Sequence, residues 1–413
     1  MGHRNRLARS VVVFSVLAVV ATRAHAVPVY TAVNLIPGAA KGLDDSGQII
    51  ASWGQSTVTV YDGYGVWSNK TKPSIPGASS VYPGPSAQGS ISNSGAYVAA
   101  NGTGQFQRNG AMVLETHAIV NDGKTTTDLG TLGGSNSYGY AVNDLGTVVG
   151  RSQTWQNETD HAFAAVAGSI RDLGTLPGAQ VSAAMAINNA TQAVGFSQIP
   201  GTSPAAVYAP SVGYPSTSTT DLTTHAVLFQ GGQVIDLGTL GGKGSTATAI
   251  NNSGQIVGIS QVASGEDRAF LYQNGQMKDL GVLDSDFAHT YWGVRYSQAR
   301  AINDAGMIVG SSNSLAFLDD GGKMYNLNSL VKIPDVTLET AYAINNVGQI
   351  LAYGYYDDDP WRFKGQVAVL LNPEGVPIPE YAVPEPSALV VLGGLALGLS
   401  WRHFRAGRRS ANR

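Results

Sequence analysis

Short apolar runs alternate along the chain with turns rich in glycine and asparagine, and the same alternation returns seven times. The clearest copies are AVNDLGTVVG from Ala141, AINNATQAVG from Ala186, AINNSGQIVG from Ala249 and AINDAGMIVG from Ala301. GLDDSGQIIA from Gly42, SISNSGAYVA from Ser90 and AINNVGQILA from Ala343 follow the same plan. Their starts lie 42 to 63 residues apart, at or just above the period of propeller blades. Apolar segments this short, bounded by such turns, predict strands.

Each unit offers four of them. An apolar strand such as HAVLF from His225 or RAFLY from Arg268 leads through Gln230-Gly231-Gly232 or Gln273-Asn274-Gly275 to VIDLGTL from Val234 or MKDLGVL from Met277. Glycine in these tight turns supplies the positive φ that a hairpin needs. Two further strands, TATAI and QIVGI, are joined through Asn251-Asn252-Ser253-Gly254. At the ends, VYTAVNLIPG from Val29 matches the second strand of a unit and QVAVLLN from Gln366 the first, so the termini complete one repeat between them. The expected fold is an all-β, seven-bladed β-propeller of four-stranded repeats, closed by pairing of the N- and C-terminal strands. In a meander of this kind the tight turns share one face and the variable loops the other, whatever the blade boundaries.

Composition narrows the setting. There is no cysteine, so disulfides, thiolate metal sites and cysteine nucleophiles are excluded. The first residues read as a leader: Arg4, Arg6 and Arg9, an apolar core from Val11 to Ala21, and the small-x-small pair Ala24 and Ala26 for signal peptidase. At the other end Pro384, Glu385 and Pro386 precede an apolar run from Ala388 to Leu399 and a basic cluster, Arg402, Arg405, Arg408 and Arg409. The expected organisation is a signal peptide over 1–26, the propeller over 27–372, a linker over 373–382 and a terminal tail over 383–413. Between leader and tail the chain keeps 16 basic and 27 acidic residues, a net charge near −11, which repels nucleic acid.

The tail resembles the PEP-CTERM sorting signal of Gram-negative bacteria. That resemblance implies an exosortase-type processing enzyme as partner and transient contact with the inner membrane through a transmembrane helix, arginines on the cytoplasmic side. The expected destination is the cell surface or extracellular matrix. Retention of the tail as a permanent anchor is the alternative, since the run is short for a span of about 20 residues. The body resembles the bacterial extracellular HAF repeat family, named for the tripeptide at His161-Ala162-Phe163; His117-Ala118-Ile119 and His225-Ala226-Val227 are variants, and Arg268-Ala269-Phe270 and Leu315-Ala316-Phe317 have lost the histidine. The family implies an exported β-repeat protein and brings no catalytic residues.

Candidate chemistry lies in the variable loops, because a rigid scaffold presents binding residues there. The richest runs from Asp284 to Gln298 and holds Asp284, Asp286, His289, Tyr291, Trp292, Arg295 and Tyr296. Aromatic faces beside carboxylates and an arginine suit a sugar ring; the competing reading is that the aromatics only pin a long loop. A second group is Tyr356, Asp358 and Trp361, with Tyr355, Asp357, Asp359 and Arg362 nearby and Trp155 and Asp160 in the matching loop of an earlier unit. Its three aspartates raise calcium, but the alternating spacing and glycine of a calcium loop are missing, so a solvated acidic turn is expected and no cofactor. The insertion from Gln198 to Thr224, rich in Ser, Thr and Pro, reads as a mobile or glycan-bearing loop.

Repeated Asp128, Asp172, Asp236 and Asp279 read as strand-terminal structural carboxylates, and His117, His161 and His225 as repeat positions on different units rather than a metal site. No GxSxG elbow, HExxH helix or phosphate-binding glycine loop is present. The leading expectation is a non-enzymatic module presenting a binding face to polysaccharide or another surface protein. Its rival is a propeller hydrolase or lyase acting on extracellular glycans, with Asp284, Asp286 or Asp357 to Asp359 as carboxylates and His289 or Tyr291 assisting.

Overall fold

Ala162 and Phe163 are both fully buried although successive side chains on a strand point to opposite faces. The explanation is that this strand has a neighbouring sheet on each side. Ala162 packs with Ala184, Val227 and Phe229 on one side, while Phe163 packs with Ala99, Ala118 and Val142 on the other. The same pairing recurs at Ala226-Val227, Ala269-Phe270 and Ala316-Phe317. Continuous apolar runs, not strict alternation, are what strands buried on both faces require.

The computed structural model describes residues 29–37, 39–53, 57–61, 67–68, 90–108, 111–155, 159–202, 224–283, 295–357 and 366–374. Among them are seven four-stranded antiparallel sheets, numbered I to VII in chain order. Sheet I joins Ala39–Leu43, Ile49–Trp53, Thr57–Tyr61 and Trp67–Ser68; sheet II joins Ser90–Ile91, Val98–Arg108, Ala111–Asn121 and Thr126–Asp128. Sheet III holds Gly133–Val142, Val148–Thr154, Asp160–Val166 and Ser169–Gly174, and sheet IV holds Ser182–Ile187, Ala193–Gln198, Thr224–Gln230 and Gln233–Asp236. Sheet V comprises Gly241–Ile250, Ile256–Val262, Asp267–Gln273 and Gln276–Asp279, and sheet VI Ser297–Ile302, Ile308–Ser312, Leu315–Asp320 and Lys323–Asn326. Sheet VII contains Val336–Ile344, Ile350–Tyr356 and Gln366–Pro373, and its fourth strand is Tyr30–Pro37 from the other end of the chain.

The expected pairing of the termini is therefore present: Tyr30 stands opposite Pro373 and Pro37 opposite Val367, antiparallel. The blade frame is also settled. The first strand of sheets I to VII is the one preceding the asparagine turn, and in each case it contacts the first strand of the neighbouring sheet. An all-β chain with sheets packed face against face in this order is propeller-like.

A bulge marks the first strand of sheets III to VI, visible as register shifts at Gly139/Ala141, Ala184/Ala186, Ala247/Ala249 and Ala299/Ala301. The facing residues are Gly150, Gly195, Gly258 and Gly310, where a Cβ would run into the carbonyl oxygens of Tyr138, Ala183, Thr246 and Gln298. The glycine of each VVG, AVG or IVG segment is thus a packing requirement of the bulge. Among the described residues no helix is long and apolar enough to cross a membrane. The leader with Ala24 and Ala26, and the tail with Pro384, Glu385, Pro386, Arg402, Arg405, Arg408 and Arg409, lie outside the described residues.

Candidate functional site

The two faces differ in what their residues do. On the turn face the first asparagine of the turns in sheets III to VII links one sheet to the next: Asn143 Nδ2 donates to Asn188 O (3.0 Å), Asn188 to Asn251 O (3.1 Å), Asn251 to Asn303 O (3.0 Å) and Asn303 to Asn345 O (3.1 Å). Asn345 Nδ2 then donates to Asp44 O at 2.8 Å. A second ladder runs one residue further on. The backbone N–H groups of Asp144, Asn189, Asn252, Asp304 and Asn346 donate to side-chain Oδ1 of Asn189, Asn252, Asp304, Asn346 and Asp45 in turn. Asp45 N–H donates to Asn93 O, and Ser94 N–H to Asp144 Oδ1.

Position by position this second ladder reads Asp45, Asn93, Asp144, Asn189, Asn252, Asp304, Asn346. No two carboxylates are neighbours, and each has an amide beside it: Asn189 Nδ2 donates to Asp144 Oδ2 (2.7 Å), Asn252 to Asp304 Oδ2 (2.9 Å) and Asn346 to Asp45 Oδ2 (3.0 Å). Like charges are kept apart while every carboxylate meets a donor. The shallow mouth these turns surround has Val142, Ile187, Ile250, Ile302 and Ile344 at its base. Most of its polar groups are spent on one another.

On the loop face the repeated residues are spent in the same way. Ser137, Ser182, Ser245 and Ser297 each accept the N–H of the repeated alanine in the preceding sheet and donate to a glycine carbonyl of the connecting segment. His117, His161 and His225 hydrogen-bond through Nδ1 to Asp128, Asp172 and Asp236 at 2.8–3.0 Å. Asp128, Asp172, Asp236 and Asp279 accept in addition the N–H two residues on, at Gly130, Gly174, Gly238 and Gly281. These carboxylates are structural, as their repetition implied.

What remains for a ligand are the residues that break the repeat. Trp155 is 71% exposed at the end of the second strand of sheet III. Behind it Arg151 Nη1 donates to buried Asp160 at 2.7 Å, and its guanidinium lies 4.9 Å from the centroid of the Tyr138 ring. The middle hairpin of sheet II, Val98–Arg108 with Ala111–Asn121, is several residues longer than its counterparts, and Met112 and Leu114 are exposed on it. In sheet V Arg268 donates to Glu266 (2.7 Å) and to the backbone carbonyl of Arg295 (2.8 Å). Between them in sequence sits Asp267, 7% exposed, with Oδ1 buried and without a hydrogen-bond partner. Burial pushes its carboxyl up to about 6, against the opposing charge of Arg268.

Of the candidates in the two loops, Arg295, Tyr296, Tyr355, Tyr356 and Asp357 are described. The Tyr296 hydroxyl hydrogen-bonds Ser314 Oγ (3.0 Å) and accepts the Ser314 N–H (3.0 Å), and its own N–H donates to Asn313 Oδ1 (3.1 Å), so this end of the loop is fixed to sheet VI. Tyr356 packs against the core between sheets VI and VII. Neighbouring Asp357 accepts the Thr337 hydroxyl at 2.6 Å. Asp284, Asp286, His289, Tyr291, Trp292, Asp358, Asp359, Trp361 and Arg362 lie outside the described residues, as does 203–223 of the insertion. Sequence reasoning passed over Asp267, which takes the place that Asp160 has in sheet III and Thr224 in sheet IV. Among the described residues no three His, Cys, Asp or Glu side chains are grouped as metal ligands.

The family model DUF3466, a protein of unknown function, matches residues 177–325. No curated protein matches the chain. Among solved structures it is similar to dipeptidyl peptidase 4 of Porphyromonas gingivalis, at 10% identity and a TM-score of 0.43 over 78% of this chain and 50% of that one. It is also similar to the acylaminoacyl peptidase of Pyrococcus horikoshii, at 9% and 0.40 over 76% and 50%, and to Trypanosoma rangeli sialidase in complex with sialic acid, at 11% and 0.34 over 84% and 54%. The chain spans about half the length of these proteins. Such likeness concerns the fold alone.

Proposed function

We propose that the chain is a closed seven-bladed propeller that works as a non-enzymatic binding module at the cell surface or in the extracellular matrix of a Gram-negative bacterium. Closure is supported by the asparagine ladder, which leads from Asn345 and Asn346 back to Asp44 and Asp45. The leader and the Pro384-Glu385-Pro386 tail support export, signal-peptidase and exosortase-type processing, and transient membrane contact. A mature protein beginning at Val27 and ending near Pro384 to Pro386, measured by mass, tests that part. An intact Arg413 favours a permanent anchor.

The observation that carries the binding reading is the contrast between faces. Repeated side chains on both are consumed in holding strands and sheets together, whereas among the described residues aromatic and charged side chains that break the repeat gather on the loop face. Trp155, Arg295, Tyr356 and the sequence around Trp292 and Trp361 offer flat apolar faces beside charged groups, which suits a polysaccharide. Extracted exopolysaccharide should be retained by the protein without turnover, and retention should fall on Trp155→Ala and Trp292→Ala. Wild-type retention in both variants rejects this face.

A glycan-cleaving enzyme is the second reading, favoured by one observation: Asp267 at the loop face is buried with Oδ1 unpartnered, and that burial pushes its carboxyl up to about 6, toward the range of a general acid. Oligosaccharides released by the wild type but not by Asp286→Asn or Asp267→Asn would establish it over the binding module.

A further inference from the structure

In the inner ladder each asparagine performs two tasks. Its Oδ1 accepts N–H groups of its own turn, as Asn143 does from Leu145 and Thr147, Asn251 from Ser253 and Gln255, Asn303 from Met307 and Asn345 from Gln349. Its Nδ2 donates to the backbone carbonyl at the same position of the next repeat. In the first repeat this position is Asp44.

Asp44 reproduces the first task in full. Its Oδ1 accepts from Ser46 N (3.0 Å), Ser46 Oγ (2.8 Å) and Gln48 N (2.7 Å). The second oxygen occupies the place of the asparagine nitrogen. It lies over the next turn, where a Cβ on Gly95 would strike it, and the carbonyl equivalent to those that accept elsewhere is that of Ser92. Asp44 is 1% exposed, and Oδ2 accepts no hydrogen bond. An ionised carboxylate there would be a buried charge with one oxygen unsatisfied.

We propose that Asp44 is held in the fold as the neutral acid, its Oδ2–H taking the place of the asparagine amide toward Ser92, so that the junction of sheets I and II is a pH-sensitive seam. The carboxyl is raised from its ordinary value, first by burial and also by the charge of Asp45, while hydrogen bonds from Gln48 and Ser46 pull the other way. Asp45 is the charged group beside it; Ser46, Gln48, Ser92, Gly95 and Asn345 are neutral. In the unfolded chain Asp44 ionises at the ordinary carboxylate value. Stability is therefore lost as pH rises from that value through the raised one, and the seam tightens on acidification.

Thermal unfolding of the full chain with Asp44→Asn tests this. The variant should melt above the wild type at pH 7.5, by about 1–3 °C for a domain of this size, with the difference gone by about pH 4. Hydrogen exchange should show the Ser46 and Gln48 amides better protected in the variant at pH 7.5 and equally protected at pH 4. Conversely, Asn188→Asp should import the dependence, melting below the wild type at pH 7.5 and approaching it in acid. An Asp44→Asn protein that is less stable, unchanged or unfolded at pH 7.5 overturns the proposal. So does an Asn188→Asp deficit of equal size at both pH values.

Discussion

Asn346 and Asp45, 301 positions apart, are joined by two hydrogen bonds: the backbone N–H of Asn346 donates to Asp45 Oδ1 at 2.8 Å and its side-chain amide to Oδ2 at 3.0 Å. The pair ties the last turn of the chain to the first, so it acts on a highly non-local contact. Bonds to a carboxylate contribute about 1.5–3 kcal/mol where shielded and less at the surface. Asp45→Ala should therefore destabilise by about 1–2 kcal/mol in urea unfolding. In a double-mutant cycle with Asn346→Ala the coupling should reach at least about 0.5 kcal/mol. Additive losses would mean the two residues do not act as a pair.

The spacing of carboxylates in the outer ladder makes a separate prediction. Asn252 donates to Asp304 and stands beside Asn189, the one place where two amides adjoin. Asn252→Asp would put two carboxylates together and remove a donor, whereas Asn189→Asp would place one beside Asp144. Both should lose about 1–2 kcal/mol at neutral pH and recover part of it in acid or at high salt. Equal stability of either variant at low salt would show that the alternation is incidental.

Glu374 N–H donates to Val29 O at 2.8 Å, so the two ends of the described chain adjoin within sheet VII. A permutant that links 374 to 29 and opens between Thr202 and Thr224 keeps all seven sheets and should unfold in a single transition with native strand content. Deleting 29–37 uncovers the edge of Gln366–Pro373, and that variant should associate, as light scattering would detect.

Desolvation raises the Asp172 carboxyl, but hydrogen bonds from His161 and the Gly174 amide outweigh it and leave it below the ordinary value. A depressed carboxyl contributes stability above its unfolded value, and that contribution is lost as pH falls through the folded one. The Asp172 side chain is 45% exposed, so screening holds the effect of His161→Ala under about 1 kcal/mol at pH 7. The difference from wild type should shrink as acid protonates Asp172, and a gap that persists below about pH 3 would assign the loss to packing.

Much of this fold was legible because its repeats carry the same residues at the same offsets, including the half-repeats at Val29 and Gln366. Which strand begins a sheet was not, since four strands repeating in a cycle look alike from any starting point. The asparagines were readable as turn formers, and Oδ1 of Asn143 or Asn251 does serve its own turn. Their amides, however, reach a residue 42 to 63 positions away, a relation that no local pattern encodes. Tyr296 illustrates the same limit at the site: an aromatic in a long loop reads equally as a sugar platform or a pin, and its bonds to Ser314 and Asn313 make it a pin.

Asp267 is where the proposed function meets stability most directly. With its carboxyl at about 6 in the fold against an ordinary 3.8, the folded state resists ionisation, so stability falls as pH rises between those values and stays reduced above them. Asp267→Asn removes that cost. The variant should be more stable than the wild type at pH 7 by roughly 1–3 kcal/mol, and equal to it below about pH 4. A buried oxygen without a partner calls for a reason, of which use by a ligand or a reaction is one, and stabilising a functional site commonly costs function. The same substitution should accordingly weaken glycan retention or turnover while it raises the melting temperature. Greater stability with unchanged handling of glycan would place Asp267 outside the site, and lower stability at pH 7 would show that its carboxylate is paired in solution.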